Sequence, residues 1–122
     1  MDLTLSSLPK TWIFDLDGTV LKHNGYLYAH EELLPGVKEF WDRIPAQDFI
    51  LILTARNRMH EKQTIAFLKK NRLRFDQIIF DIPIGERIVI NDSKPSGLKT
   101  AFAVNLSRDS GLGINVKIDD DL

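Results

Sequence analysis

The chain has 122 residues, 43% hydrophobic and 27% charged, with a formal net charge of -1 and no cysteine. That length supports one domain, 1–122, with a single core and no second module. The charge balance argues against a basic nucleic-acid surface, the missing cysteines exclude disulfides and thiolate metal sites, and no apolar run approaches the roughly 18 residues of a membrane span.

The first eight residues show no basic segment followed by an apolar stretch, so no secretory leader is expected and cytoplasm is the default compartment. Lys10 to Phe14 reads as a short apolar strand that runs into Asp15-Leu16-Asp17-Gly18-Thr19. Side chains alternate along a strand, so Asp15 and Asp17 point the same way at its C-terminal end. Two carboxylates held that close repel each other unless a cation sits between them, and hard oxygen ligands suit Mg2+. Asp17-Gly18 between apolar residues is equally a two-residue hairpin signal, so these residues alone leave turn and metal site matched.

Asn24-Gly25, between partly alternating residues, predicts a β-hairpin flap over about 20–30. A turn there makes one at Asp17-Gly18 less needed and leaves Gly18 to let backbone approach a ligand. Tyr26 and Tyr28 on the flap either cover a site or pack on the body. Pro35-Gly36-Val37 opens a helix to about Ile44, with Val37, Phe40, Trp41 and Ile44 on one buried stripe. Phe49 to Leu53 is continuously apolar, as a strand buried on both faces reads, and ends at Thr54-Ala55-Arg56-Asn57. Arg58 to Asn71 is the next helix, with Ile65, Phe67 and Leu68 inward and Lys62, Lys69 and Lys70 solvated. Gln77 to Phe80 predicts a third strand, Arg87 to Ile90 a fourth, and Ala101 to Asn105 a fifth. Gly111 to Ile118 is a turn with a last short strand or ordered tail, and Asp119-Asp120-Asp121 is a solvated end.

Alternating strands and helices with continuously apolar strands predict an α/β class, a doubly wound parallel sheet. Ligands in such folds bind outside the carboxyl ends of the strands. Asp15 and Asp17 close the first strand, Thr54 the second and Asp92 the fourth, so three apolar runs end in a carboxylate or hydroxyl on one expected edge. Asp15 and Asp92, with a backbone carbonyl near Asp17, offer oxygen ligands for Mg2+. The Thr54 hydroxyl and the N–H groups after it, beginning at Ala55, would hold phosphate oxygens at a helix N-terminus. Arg56 either clamps an anionic substrate or caps surface carboxylates. His23, His30 and His60 show no ligand spacing, which argues against zinc.

Asp15-Leu16-Asp17-Gly18-Thr19, Leu53-Thr54-Ala55-Arg56 and Ile90-Asn91-Asp92 resemble the first, second and fourth motifs of the haloacid dehalogenase superfamily of phosphohydrolases. The resemblance spans residues 10 to about 105 and implies a Rossmann-like sheet and a Mg2+-dependent phosphatase. It implies that Asp15 is the nucleophile, that Asp17 moves protons, and that Asp15, Asp17 and Asp92 surround the metal. The superfamily's third motif, a Lys or Arg, is missing where Phe80-Asp81-Ile82-Pro83 stands. Lys94, Arg87 and Lys70 are the candidate substitutes, with Lys94 favoured because it lies beside Asp92. Asn91 stands where many relatives carry an acid. Neither gap between motifs is long enough for a cap domain, so the chain is similar to small capless members, open to large substrates or closed by a second copy in a homo-oligomer. The stretch Asn91 to Thr100 is similar to small proteins assigned to surface-polysaccharide pathways, which makes a sugar phosphate the expected substrate. The alternatives are a non-catalytic phosphate- and metal-binding module and a phosphatase of nucleic-acid 3'-phosphates, the latter disfavoured by the near-zero charge.

Overall fold

A computed structural model describes residues 1–122. Its regular elements are strand β1 (Asp2–Leu5), strand β2 (Thr11–Phe14), helix α1 (Val37–Asp42), strand β3 (Phe49–Leu53), helix α2 (Glu61–Lys70), strand β4 (Gln77–Ile79) and strand β5 (Asn115–Ile118). Strands β2, β3 and β4 form a parallel sheet in that order, with Trp12 opposite Ile50 and Ile52 opposite Ile78. Strands β1 and β5 form a separate parallel pair. The class is α/β with small parallel sheets. No helix is long and apolar enough to cross a membrane.

Trp12, Phe14, Ile50, Ile52 and Ile78 share the sheet face that packs with Val37 and Trp41 of α1 and Leu68 of α2 in one core. Phe14 stacks on Trp41 at 4.3 Å and meets Phe40 edge-on at 6.0 Å. Each large apolar side chain buried this way contributes about 1.5–3 kcal/mol. Ile13, Phe49 and Ile79 on the opposite face are exposed. The chain steps from β2 to β3 to β4 in one direction through α1 and α2. Crossovers of one hand stepping one way put their helices on one side of a sheet. The apolar run Phe49–Leu53, expected to be covered on both faces, is therefore covered on one.

Three expected elements are absent. Arg87 to Ile90 and Ala101 to Asn105 are not strands, because strand propensity expresses fit to a neighbouring strand and neither run has one. Ile88 and Ile90 are accordingly 80% and 92% exposed. Asn24-Gly25 does not turn a hairpin; Asn24 is left-handed at φ 57° and starts a one-turn 3-10 segment, Gly25–Leu27. The excursion 22–32 is instead closed at its base, where Lys22 N–H donates to the Glu32 carbonyl at 3.0 Å and Leu34 N–H to the Val20 carbonyl at 3.0 Å.

The helices are also shorter than their patterns suggested. Helix α1 stops at Asp42 because Arg43 and Ile44 close three-residue turns and Pro45 follows. The second helix begins as a 3-10 turn, Arg58–His60, capped by the Asn57 side chain, which accepts from Met59 N–H at 2.8 Å. Strand β1 was not expected at all. Its Leu3 and Leu5 alternate, but four residues are too few to stand out.

Candidate functional site

The ladder of β2 ends at Phe14, and the next six residues form a tight loop nailed to the core. The Leu16 carbonyl accepts from Thr19, Val20 and Leu21 N–H, while Gly18 N–H donates to the Leu21 carbonyl at 2.7 Å. Leu16, Val20 and Leu21 are buried, so Asp15, Asp17 and Thr19 are turned outward between them. Gly18 sits at φ +84°, a conformation that costs a side-chain-bearing residue about 1–2 kcal/mol. One Asp15 oxygen accepts from the Thr19 hydroxyl at 3.0 Å and the other from Arg87 Nη1 at 2.8 Å. The carboxylate remains 37% exposed.

Asp17 is held differently. Arg56 Nε and Nη2 reach its two oxygens at 3.0 and 2.9 Å, and Nη1 and Nη2 reach the two oxygens of Glu31, both at 2.8 Å. The remaining Nη1 proton goes to the Thr64 hydroxyl at 3.0 Å. A guanidinium has five N–H donors, and all are engaged here. The Tyr26 ring lies 4.0 Å from the guanidinium carbon. Burial works against the Arg56 charge, but the hydrogen bonds to Glu31 and Asp17 overcome it and hold the pKa above the usual arginine range. Burial, reinforced by the Asp17 charge, raises the Tyr26 phenol. In the structure Arg56 thus uses all five of its donors within the chain. Its side chain is fully buried and ties the strand-end loop to the excursion 22–32.

Thr54 is buried at the end of β3, and its hydroxyl accepts from Arg56 N–H at 3.1 Å, turning the chain inward. It does not sit at a helix N-terminus, since helical turns begin only at Arg58. The Ala55 N–H is free of any partner within the chain.

Of the three candidate cations, Arg87 is the one against Asp15; Lys94 and Lys70 are exposed and form no ion pair. Lys94 instead closes a local turn through its backbone, with its N–H on the Leu98 carbonyl. Asp92 lies in the exposed stretch, where its carbonyl accepts the Thr100 hydroxyl and Asn91 Nδ2 donates to the same hydroxyl at 2.7 Å.

The Mg2+ that the resemblance implies would draw on Asp15, Asp17 and Asp92, which the structure does not gather into one group. No three His, Asp or Glu side chains converge to hold a metal ion. Arg87 and Thr19 occupy Asp15, and Arg56 occupies Asp17.

Glu31 and Thr64 were missed by sequence reasoning. Nothing in their spacing marks them; only the burial of Arg56, which a sequence does not display, demands their oxygens. No protein-family model matches the chain, and neither a curated protein nor a solved structure matches it.

Proposed function

We propose that the chain is a phosphomonoester hydrolase that forms an aspartyl-phosphate on Asp15. The observation that carries this reading is the Asp15 carboxylate, 37% exposed at the sheet's carboxyl edge, oriented by Thr19 and faced by Arg87 at 2.8 Å. A nucleophile needs access, a fixed direction and a cation to take the charge of the phosphoryl oxygens.

In the first step an Asp15 oxygen bonds to phosphorus while the bond from phosphorus to the ester oxygen breaks, and that oxygen takes a proton from solvent; the resemblance gives this proton transfer to Asp17, which Arg56 holds here as a carboxylate. In the second step a water oxygen bonds to phosphorus, Asp17 takes the water proton, and phosphate leaves Asp15 as a free carboxylate. Arg87 and the Ala55 N–H supply donors to the non-bridging oxygens.

Mg2+ enters this proposal through the resemblance alone. The finer fold reading is the doubly wound, Rossmann-like arrangement of the haloacid dehalogenase superfamily. The uncovered sheet face with Ile13 and Ile79, together with the exposed Ile84, Ile88, Val89 and Ile90, supports it, because a second covered face needs such residues. A sugar phosphate is the substrate class to try first.

Purified protein should release phosphate from phenyl phosphate when Mg2+ is present, and Asp15→Asn should slow release by about a thousandfold or more. An unchanged rate in that variant removes the nucleophile assignment. A second reading, phosphate binding without turnover, is favoured by one observation: no three acidic side chains converge at Asp15. It predicts phosphate binding but no hydrolysis across sugar, nucleotide and lipid phosphates.

A further inference from the structure

The loop that carries Asp15 and Asp17 is gripped from outside by a turn near the far end of the chain. Ser110 N–H and its hydroxyl both donate to the Ser107 carbonyl, at 3.1 and 2.7 Å, which closes the turn 107–110. Asp109, left-handed at φ 62°, latches it: its N–H donates to the Gly18 carbonyl at 2.9 Å and its carboxylate accepts from His23 N–H at 2.8 Å. This brings Arg108 across Gly18. A Cβ built on Gly18 would lie 3.2 Å from Arg108 Cγ and 3.9 Å from its Nε.

Arg56 is shared between Asp17 and Glu31, and Arg87 is taken by Asp15. Arg108, by contrast, is exposed and forms no ion pair and no side-chain hydrogen bond. The neighbouring Asp109 carboxylate is turned to His23. The latched turn thus lays an exposed arginine side chain along Gly18, which follows Asp15 by three positions in the sequence.

We propose that Arg108 is a specificity-determining residue that receives a second anionic group, a carboxylate or another phosphate, carried by the alcohol portion of the phosphomonoester. This rests on the phosphatase reading. A planar fork of N–H donors favours such a group through charge-assisted, bidentate hydrogen bonds. The latch on Gly18 and His23 reduces the ordering cost of presenting it.

The test has a turnover arm and a binding arm. With Mg2+ present, kcat and KM are measured for phenyl phosphate and for its ortho-, meta- and para-carboxyl derivatives, on the wild type, Arg108→Ala and Arg108→Lys. Wild type should prefer at least one carboxyl isomer by about tenfold in kcat/KM. Arg108→Ala should lose that preference through KM and leave phenyl phosphate within about twofold, and Arg108→Lys should retain part of it. A preference that survives in Arg108→Ala, or an equal loss on both kinds of substrate, overturns the assignment.

The binding arm compares phosphonoacetate, which carries a carboxylate, with methylphosphonate, which does not. Tighter binding of phosphonoacetate by wild type alone upholds Arg108 even if no ester is hydrolysed, in which case only the catalytic reading falls. Equal affinities in wild type overturn the Arg108 proposal whatever the turnover.

Discussion

Arg56 meets Asp17 through two parallel hydrogen bonds, Nε to Oδ2 at 3.0 Å and Nη2 to Oδ1 at 2.9 Å, and repeats the pattern on Glu31 from its other side. One buried cation therefore fixes a residue of the strand-end loop and a residue of the excursion 22–32 at once. Arg56→Met leaves two partly buried carboxylates facing each other without their counter-charge. It is expected to cost about 3 kcal/mol, which urea denaturation would read as a lower midpoint. Arg56→Lys should recover less than half of that, since an ammonium has three donors and no fork. Full recovery by lysine would show that charge alone holds the loop.

Arg87 and Lys94 separate cleanly as candidates for the cation at Asp15. Arg87 lies 2.8 Å from the carboxylate, and Lys94 makes no side-chain contact with an acid. Arg87→Ala should lower phosphate release by about ten- to a hundredfold, and Lys94→Ala should leave it within about twofold. Both sites are solvent-accessible, so neither change should move stability by more than about 1 kcal/mol. The reverse ranking in a paired rate assay would return the role to Lys94.

Tyr26 gives the fold a pH dependence at the alkaline end. Burial and then the Asp17 charge raise its phenol, and Arg56 pulls in the opposite direction. Below the ordinary tyrosine value of about 10 both folded and unfolded chains keep the proton, and stability is at its full value. As pH rises past it the unfolded chain ionises first, and stability falls until Tyr26 itself ionises. Tyr26→Phe should remove this part of the alkaline loss while keeping the ring on Arg56. From about pH 8 to about 11 the urea midpoint of wild type should fall more than that of Tyr26→Phe, and parallel curves would refute the assignment.

Much of the scaffold is written locally. Strands β2, β3 and β4 come from short apolar runs with turn residues after them, and α1 and α2 from helically spaced apolar residues, because each pattern is a few residues long and is read without knowing its neighbours. The sheet's coverage is not local: whether Phe49–Leu53 is roofed on one face or two depends on where later segments travel. The same holds for Arg87 to Ile90, whose β-branched residues state a preference that only an adjacent strand fulfils. Asn24-Gly25 failed as a hairpin signal for a different reason. The excursion around it is organised by Glu31 and Tyr26 closing on Arg56, a tertiary demand stronger than the turn preference of two residues.

At the site, Asp15 and Asp17 were legible because they follow directly on a strand, but it is the loop closed on the Leu16 carbonyl, not a pleat, that turns them outward. Arg87 was legible only as one of three cations. Arg108 was invisible, since its approach to Gly18 is made by a turn some ninety positions away in the chain.

The pairing of Asp2–Leu5 with Asn115–Ile118 joins residues 113 positions apart. Closing so long a loop carries an entropic cost that grows with the logarithm of its length, so contacts of this separation are disfavoured early in folding. The strand pair is therefore expected to zip late, after β2, β3 and the helices have collapsed. Leu112, buried in the core just before β5, is drawn in with it. The turn bearing Arg108 lies immediately upstream, so the alignment of that guanidinium is a final act of folding, dependent on both ends of the chain having met.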